Sequence, residues 1–330
     1  MSSTFPNNIV NSIGAPLDAQ GETIFLQRFF GSLEERMRSD FHRFTFVVHR
    51  WSYHEKKGAH IELQPGDATK VLIVLADERE VFPAGDFSSY RAVFRAYGVP
   101  PGGVSRIFPF PIGYLNAAGS TDATPFDQRT INLFFSGYLN RNRIDLYKQF
   151  RPVWWLPKRN LPQHRYVREI ARRAVEKLTK ERVFPVPNGR IAFTEWFGKG
   201  LPPDEYAKTL ANTKIAICPP GFISNETIRH WEAMRLGCVV ISAALPPNRF
   251  YKDSPIIQLK DWSELKPLLT ELLADPARLR GLHVATVEWW KSRCSEKAVA
   301  EYMANLLTSD FRFTEPCSST SGNSKPSGQC

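Results

Sequence analysis

Sulfur is scarce in this sequence, with five cysteines and four methionines in 330 residues. The cysteines, Cys218, Cys238, Cys294, Cys317 and Cys330, form no C-x-x-C pair and no Cys/His cluster with zinc spacing. Their odd number argues against a disulfide framework and for a reducing compartment. Long apolar runs are missing as well. The longest, 71–76, is far short of the roughly 20 residues that span a bilayer. The N-terminal stretch has neither a basic n-region nor an apolar h-region, so a cytoplasmic location is expected. Acidic residues are the minority, 33 against 43 Lys and Arg, which leaves a net charge of +10. Such an excess suits an anionic partner: nucleotide phosphates, nucleic acid or an anionic membrane surface. No RNP, KH, zinc-finger or helix-turn-helix signature accompanies the charge, and there is no internal repeat.

What is present describes a folded protein. Hydrophobic residues at 42% and charged residues at 23% exclude disordered, collagen-like and coiled-coil classes, and the length fits two domains of ordinary size. Proline is plentiful and clusters in connections such as Pro100-Pro101, Pro202-Pro203, Pro219-Pro220 and Pro246-Pro247, where a fixed φ shapes the loop. Short β-rich segments at 44–48, 71–76 and 90–97 open a first lobe, and 107–111 reads as extended. The small, polar, turn-rich stretch 116–129 marks the boundary, so the domains are expected at 1–125 and 126–310, with a disordered Ser/Gly-rich tail at 311–330.

The second half alternates strand and helix, which implies a parallel sheet. Strand 131–136 runs into a turn at Gly137 and a helix at 141–150. A helix at 162–182, strand 191–197, a helix capped by Asp204, strand 214–218, a helix at 225–236 and strand 238–242 follow. Three helices, at 262–273, 276–290 and 296–307, close the pattern.

The segment 218–238 is the most informative. A strand ends in a Pro-Pro-Gly turn, Ser224 offers an N-cap, and a helix N-terminus after Gly221 would present free N–H groups to a diphosphate. Along that helix Asn225, Arg229 and Glu232 are spaced by four and three and form a polar stripe, while Thr227, Trp231, Met234 and Cys238 continue an apolar one. Arg229 can neutralise phosphate and Glu232 can accept the hydroxyls of a ribose. An ordinary solvated face with an Arg/Glu pair three apart gives the same pattern.

The run Cys218-Pro219, Gly221, Ser224, Arg229, Glu232-Ala233, Gly237-Cys238, Val240, Pro246-Pro247 and Phe250-Tyr251 resembles the donor-binding half of the exostosin-type glycosyltransferases. The stretch 132–137 followed by Arg143 is similar to the opening of that lobe, as is Glu205-Tyr206 with Leu210, Asn212 and Lys214 to the elements before the key turn. In the first half 74–78, Tyr90, 94–97 and 109–114 resemble bacterial exostosin-like relatives. The resemblance implies two facing Rossmann-like, doubly wound α/β domains of the GT-B type with C-terminal helices. It also implies a nucleotide-diphosphate sugar, a UDP-sugar, as co-substrate rather than a cofactor, with no metal in most members. The animal exostosins' membrane anchor and paired cysteines are absent from this sequence.

An inverting transfer to a glycan, lipid-linked or other hydroxyl acceptor needs a base and positive groups at the departing diphosphate. Asp77 and Glu78, at the end of a strand, are the candidate bases. Arg143 and Arg229 are the candidate phosphate partners, with Arg141 as substitute for the first, and Gly137 would let phosphate approach the backbone. His49, His54 and His60 lack metal spacing and read as packing or surface residues. Trp154-Trp155 and Trp289-Trp290 read as packing residues. The basic face Arg165, Arg168, Arg172, Arg173, Lys177 and Lys180 reads as solvated or as a peripheral dock for an anionic membrane. A sugar-nucleotide epimerase, a non-catalytic exostosin-like scaffold and a basic nucleic-acid-binding protein are the competing readings.

Overall fold

The computed structural model describes residues 5–11, 17–19, 21–50, 66–78, 87, 89–98, 106–150, 186–194 and 197–309. The first lobe is a parallel sheet of β1 (Ile9–Asn11), β2 (Thr45–Arg50), β3 (Lys70–Leu75), β4 (Ala92–Arg95) and β5 (Ile107–Pro109), ordered β1-β2-β3-β4-β5. Its strands are buried on both faces, as parallel strands require. Phe46, Val48, Ile73 and Phe94 point to one face, and Val47, Leu72, Val74 and Val93 to the other. Helix α1 (Thr23–Met37) covers the first face because Phe25, Leu26, Phe29, Phe30, Leu33 and Met37 recur at helical spacing and are all buried.

The short helix α2 (Asn116–Ser120) leads into the second lobe, where β6 (Ile131–Tyr138) and α3 (Ile144–Phe150) are followed by β7 (Gly189–Thr194) and α4 (Pro203–Ala211). Then come β8 (Thr213–Cys218), α5 (Ile228–Arg235), β9 (Val239–Ala243) and β10 (Ile257–Leu259). The sheet is again parallel, in the order β10-β9-β8-β6-β7. The chain leaves β6 for β7 on one side and returns to β8 on the other, so the winding reverses between β6 and β8. Crevices at the carboxyl ends of strands on either side of such a reversal bind ligands in open α/β sheets. The expected two-lobed α/β architecture with C-terminal helices is therefore the observed one.

Three helices finish the described chain: α6 (Leu265–Ala274), α7 (Pro276–Trp289) and α8 (Glu296–Thr308). Helix α8 packs on α1 rather than on the second sheet. Val299, Ala300, Met303, Ala304 and Leu307 join the same buried cluster as Phe25 and Phe29, and that cluster continues through Tyr114 and Trp290 to Trp231 in the second lobe. By contact, then, the end of the segment assigned from sequence to the second domain belongs to the first lobe. No described helix is long and apolar enough to cross a membrane.

Several local expectations change. Gly137 lies inside β6, paired with Phe193, and is not a turn. Helix α5 begins at Ile228 with Thr227 as N-cap, three residues later than the polar pattern suggests, because His230 accepts the Thr227 N–H at 3.1 Å and fixes the start there. Pro202 holds the N-cap position of α4 and makes no side-chain cap, and Asp204 lies in the first turn. The sequence 9–11, 23–37 and 257–259 forms elements that were not expected. The predicted helix 162–182, its basic face, Trp154-Trp155, His54, His60 and the tail 311–330 lie outside the described residues.

Candidate donor-binding cleft

A cleft of about 400 Å³ opens between the lobes at the winding reversal, lined from the first lobe by Glu22, Ala76, Glu78 and Tyr97, and from the second by Gly137, Arg143, Gly221, Glu226, Arg229 and Glu232, among others. The last turn of β3 explains how the first lobe reaches it. Ala76 takes a left-handed backbone conformation, φ 59°, uncommon for a residue with a Cβ, and the chain bends so that successive side chains diverge. Asp77 turns inward, 1% exposed, and its Oδ2 pairs with Arg95 Nη2 at 2.9 Å. Glu78 turns into the cleft.

Two arginines meet on the opposite wall. Gly137 makes room for both: a Cβ there would lie 2.7 Å from Arg229 Nη2 and 3.2 Å from Arg143 Nη1. Arg143 is 4% exposed; its Nε donates to the Pro220 carbonyl at 2.7 Å and its Nη1 to the Tyr138 carbonyl at 2.8 Å. Arg229 donates from Nη2 to the Ser136 carbonyl at 3.3 Å, while its buried Nε has no partner among the described residues. Both guanidinium groups lie 5.9 Å from the Phe135 ring centroid. Among the described residues neither forms an ion pair. Burial, and then the neighbouring Arg229, push the Arg143 pKa down to about 9, the signature of positive charge held without a counter-ion in contact. Two cations side by side, Arg143 buried and Arg229 half-buried, are stabilised by an anion.

The loop 219–224 is pinned beside them. Asn140 Nδ2 and Asn142 Nδ2 both donate to the Gly221 carbonyl at 3.1 Å, and the Gly221 N–H donates to the Ser224 carbonyl at 2.7 Å. The turn leaves the Ile223 and Ser224 N–H groups pointing the same way, and Glu78 Oε1 accepts both at 2.9 Å. Gly221 lets that carboxylate come close, since a Cβ would sit 2.5 Å from its oxygen and the side chain would have to shift. The convergent N–H groups at this wall belong to the turn, since the helix starts only at Ile228.

Two further carboxyls stand in the wall. Glu232 is 3% exposed and its pKa is pushed up to about 7 by burial, opposed by Arg229 and by a backbone hydrogen bond at Leu115. Glu226 is equally buried and is also pushed up to about 7 by burial, opposed by hydrogen bonds from the Tyr251 hydroxyl at 2.6 Å and the Trp231 indole at 3.3 Å. Glu22 is tied to Arg50 by two bonds, at 3.0 and 3.1 Å.

The cleft therefore gathers Gly137, Arg143, Gly221, Arg229, Glu232 and Glu78, and leaves out three candidates. Asp77 is enclosed with Arg95. Asn225 points away, its Nδ2 donating to the Ala244 carbonyl at 2.7 Å. Ser224 closes the loop, its Oγ accepting the Glu226 N–H at 3.0 Å, and it does not cap α5. Arg141 is exposed, and His49 is buried, with its pKa pushed down to about 4 by burial. Sequence reasoning missed Glu22, Tyr97, Asn140 and Glu226. Glu226 lies one residue from Asn225 but belongs to neither stripe read along that helix.

Fold and site together define a two-lobed α/β protein with a cationic pocket at the switch point of its second sheet. No protein-family model matches the chain, and no curated protein does. Among solved structures it is similar to sucrose-phosphate synthase from Thermosynechococcus elongatus, at 14% identity and TM-score 0.42 over 88% of this chain and 79% of that one. Similarity extends to S. aureus TarM, solved with fondaparinux, α-GlcNAc-glycerol and UDP, at 12% identity and TM-score 0.44 over 86% of this chain and 59% of that one. MurG of Acinetobacter baumannii matches at 14% identity and TM-score 0.41 over 86% and 77% of the two chains. This chain thus spans little more than half the length of TarM.

Proposed function

We propose that the protein is a glycosyltransferase that binds a nucleotide-diphosphate sugar, a UDP-sugar, on its second lobe and transfers the sugar with inversion to a hydroxyl acceptor entering along the first. The observation that carries this reading is the pair Arg143 and Arg229, converging on Gly137 at the winding reversal with no ion-pair partner among the described residues, beside a loop whose N–H groups already hold a carboxylate. That is the charge and geometry a diphosphate needs. The exostosin-type anchors in 218–251 support the same reading.

In the proposed reaction the acceptor oxygen attacks the anomeric carbon, the bond from that carbon to the diphosphate oxygen breaks, and a carboxylate takes the acceptor's proton. With Asp77 committed to Arg95, Glu78 is the base. The two guanidinium groups receive the charge that grows on the departing diphosphate, the role of preorganised donors in group transfer, and no divalent ion is needed for it. Glu232, a helical turn beyond Arg229, accepts the ribose hydroxyls. The acceptor is a glycan or a lipid-linked sugar, and the site of action is cytoplasmic, with peripheral contact at a membrane carrying such acceptors.

Calorimetric titration with a panel of nucleoside diphosphates tests the donor site. One nucleotide, UDP, is expected to bind saturably, with a loss of about tenfold or more in Arg229→Ala and Glu232→Ala, since removing a charged hydrogen-bonding partner costs about 1.5–3 kcal/mol. Release of free nucleotide from the UDP-sugar in the presence of acceptor separates transfer from epimerisation, in which the product remains a nucleotide sugar. If no nucleotide binds, or random DNA competes with it, the reading fails.

A further inference from the structure

Glu78 occupies an unusual place. It belongs to the first lobe, 145 positions from Ile223, yet its Oε1 fills the turn of the second lobe that would otherwise offer two N–H groups to an anion. The Gly221 surface is shaped around that oxygen, leaving no space for even a Cβ. Its charge is felt by Arg143 without an ion pair being formed. One carboxylate thus holds the position, the donors and part of the field of an anion that binds between loop and arginines. A turn with two convergent N–H groups is an anion-binding concavity, and here a carboxylate from the other lobe occupies it.

We infer that Glu78 is an internal stand-in for a phosphate oxygen of the donor, a carboxylate that the donor's diphosphate expels from the turn formed by Gly221 to Ser224. The inference rests on the reading that a diphosphate binds this cleft, and it deepens that reading. Without donor, Glu78 fastens the lobes together and cannot accept a proton from the acceptor through the oxygen held by the turn. The diphosphate takes over the Ile223 and Ser224 N–H groups and draws on Arg143 and Arg229, which a single carboxylate leaves unsatisfied. The freed carboxylate then stands beside the anomeric carbon. Glu78 thereby couples donor occupancy to the availability of the base and imposes donor-first order. The same competition lowers donor affinity, because the diphosphate has to displace a bound anion.

Inorganic pyrophosphate and UDP, titrated calorimetrically into the full chain, Glu78→Gln and Glu78→Ala, test this. Both variants are expected to bind pyrophosphate at least about fivefold more tightly than the parent, although they lose transfer. Equal or weaker binding by both would overturn the inference. Hydrogen exchange over 221–226 is a second readout: exchange should speed up in Glu78→Ala and slow again when pyrophosphate is added. Exchange that pyrophosphate leaves unchanged also counts against displacement. Glu78→Gln keeps an acceptor of the same size, so a folding defect in Glu78→Ala does not blunt the test. If pyrophosphate tightens as expected but no UDP-sugar turns over, the glycosyltransferase reading fails and the displacement stands.

Discussion

At the scale of the residue, neighbours in sequence have opposite roles. Asp77 and Glu78 are indistinguishable as candidate bases until the left-handed conformation of Ala76 sends one into the first lobe and the other into the cleft. Their variants should differ accordingly. Asp77→Asn strands Arg95, 4% exposed, and is expected to destabilise the protein by about 3–5 kcal/mol. Thermal melting would show this, and pyrophosphate affinity measured below the melting range should stay unchanged. A similar separation applies at Gly137. Gly137→Ala pushes on the ends of two flexible side chains, so stability should change little while diphosphate binding weakens severalfold by calorimetry. As candidates, Arg229 and Glu232 were legible because charge at fixed spacing after a Gly-bearing turn is a local pattern, whereas Arg143 was read from a turn at Gly137 that is in fact part of β6. Ser224 and Asn225 were misplaced because the helix starts where His230 receives the Thr227 N–H, and the polar pattern carries no sign of that.

At the scale of the element, β6, β8 and α5 carry the site, and the connections between them hold it in register. Asn140 is the main joint. Its Oδ1 accepts the Asn142 N–H at 2.9 Å, and its Nδ2 reaches across to the Gly221 carbonyl at 3.1 Å. Asn140→Ala removes two largely buried hydrogen bonds and should cost about 1–3 kcal/mol in urea unfolding. It should also weaken nucleotide binding even though Asn140 need not touch the ligand, because the turn at 221–224 loses its anchor. The alternating βα units of the second half were readable as strings of β-branched residues separated by helical periods. Helix α1 had an equally clear period, with apolar residues at 25, 26, 29, 30, 33 and 37, and was overlooked. Strands β1 and β10 span three residues each, too few for alternation to be recognised.

At the scale of the whole molecule, the buried ionisable groups give stability a characteristic pH response. Glu226 and Glu232 keep their protons up to about 7, whereas the unfolded chain loses them near 4.5, so their contribution to stability falls as pH rises across that window. Burial pushes His49 and His230 down to about 4 from 6.5, so their contribution rises with pH between those values, in the opposite sense. The double variant Glu226→Gln, Glu232→Gln removes only the first response. Its stability relative to the parent should rise with pH between 4.5 and 7, on the order of 1–3 kcal/mol per carboxyl, measurable as urea midpoints across that range. The sequence by itself determined the two-lobed α/β class and the parallel second sheet, because burial periodicity and turn residues act over a few positions. Only the tertiary structure decided that α8 returns to α1, that Asp77 is consumed by Arg95, and that Glu78 closes a turn 145 positions away. Those outcomes depend on which surfaces meet once both sheets are formed, and no local period encodes such a meeting.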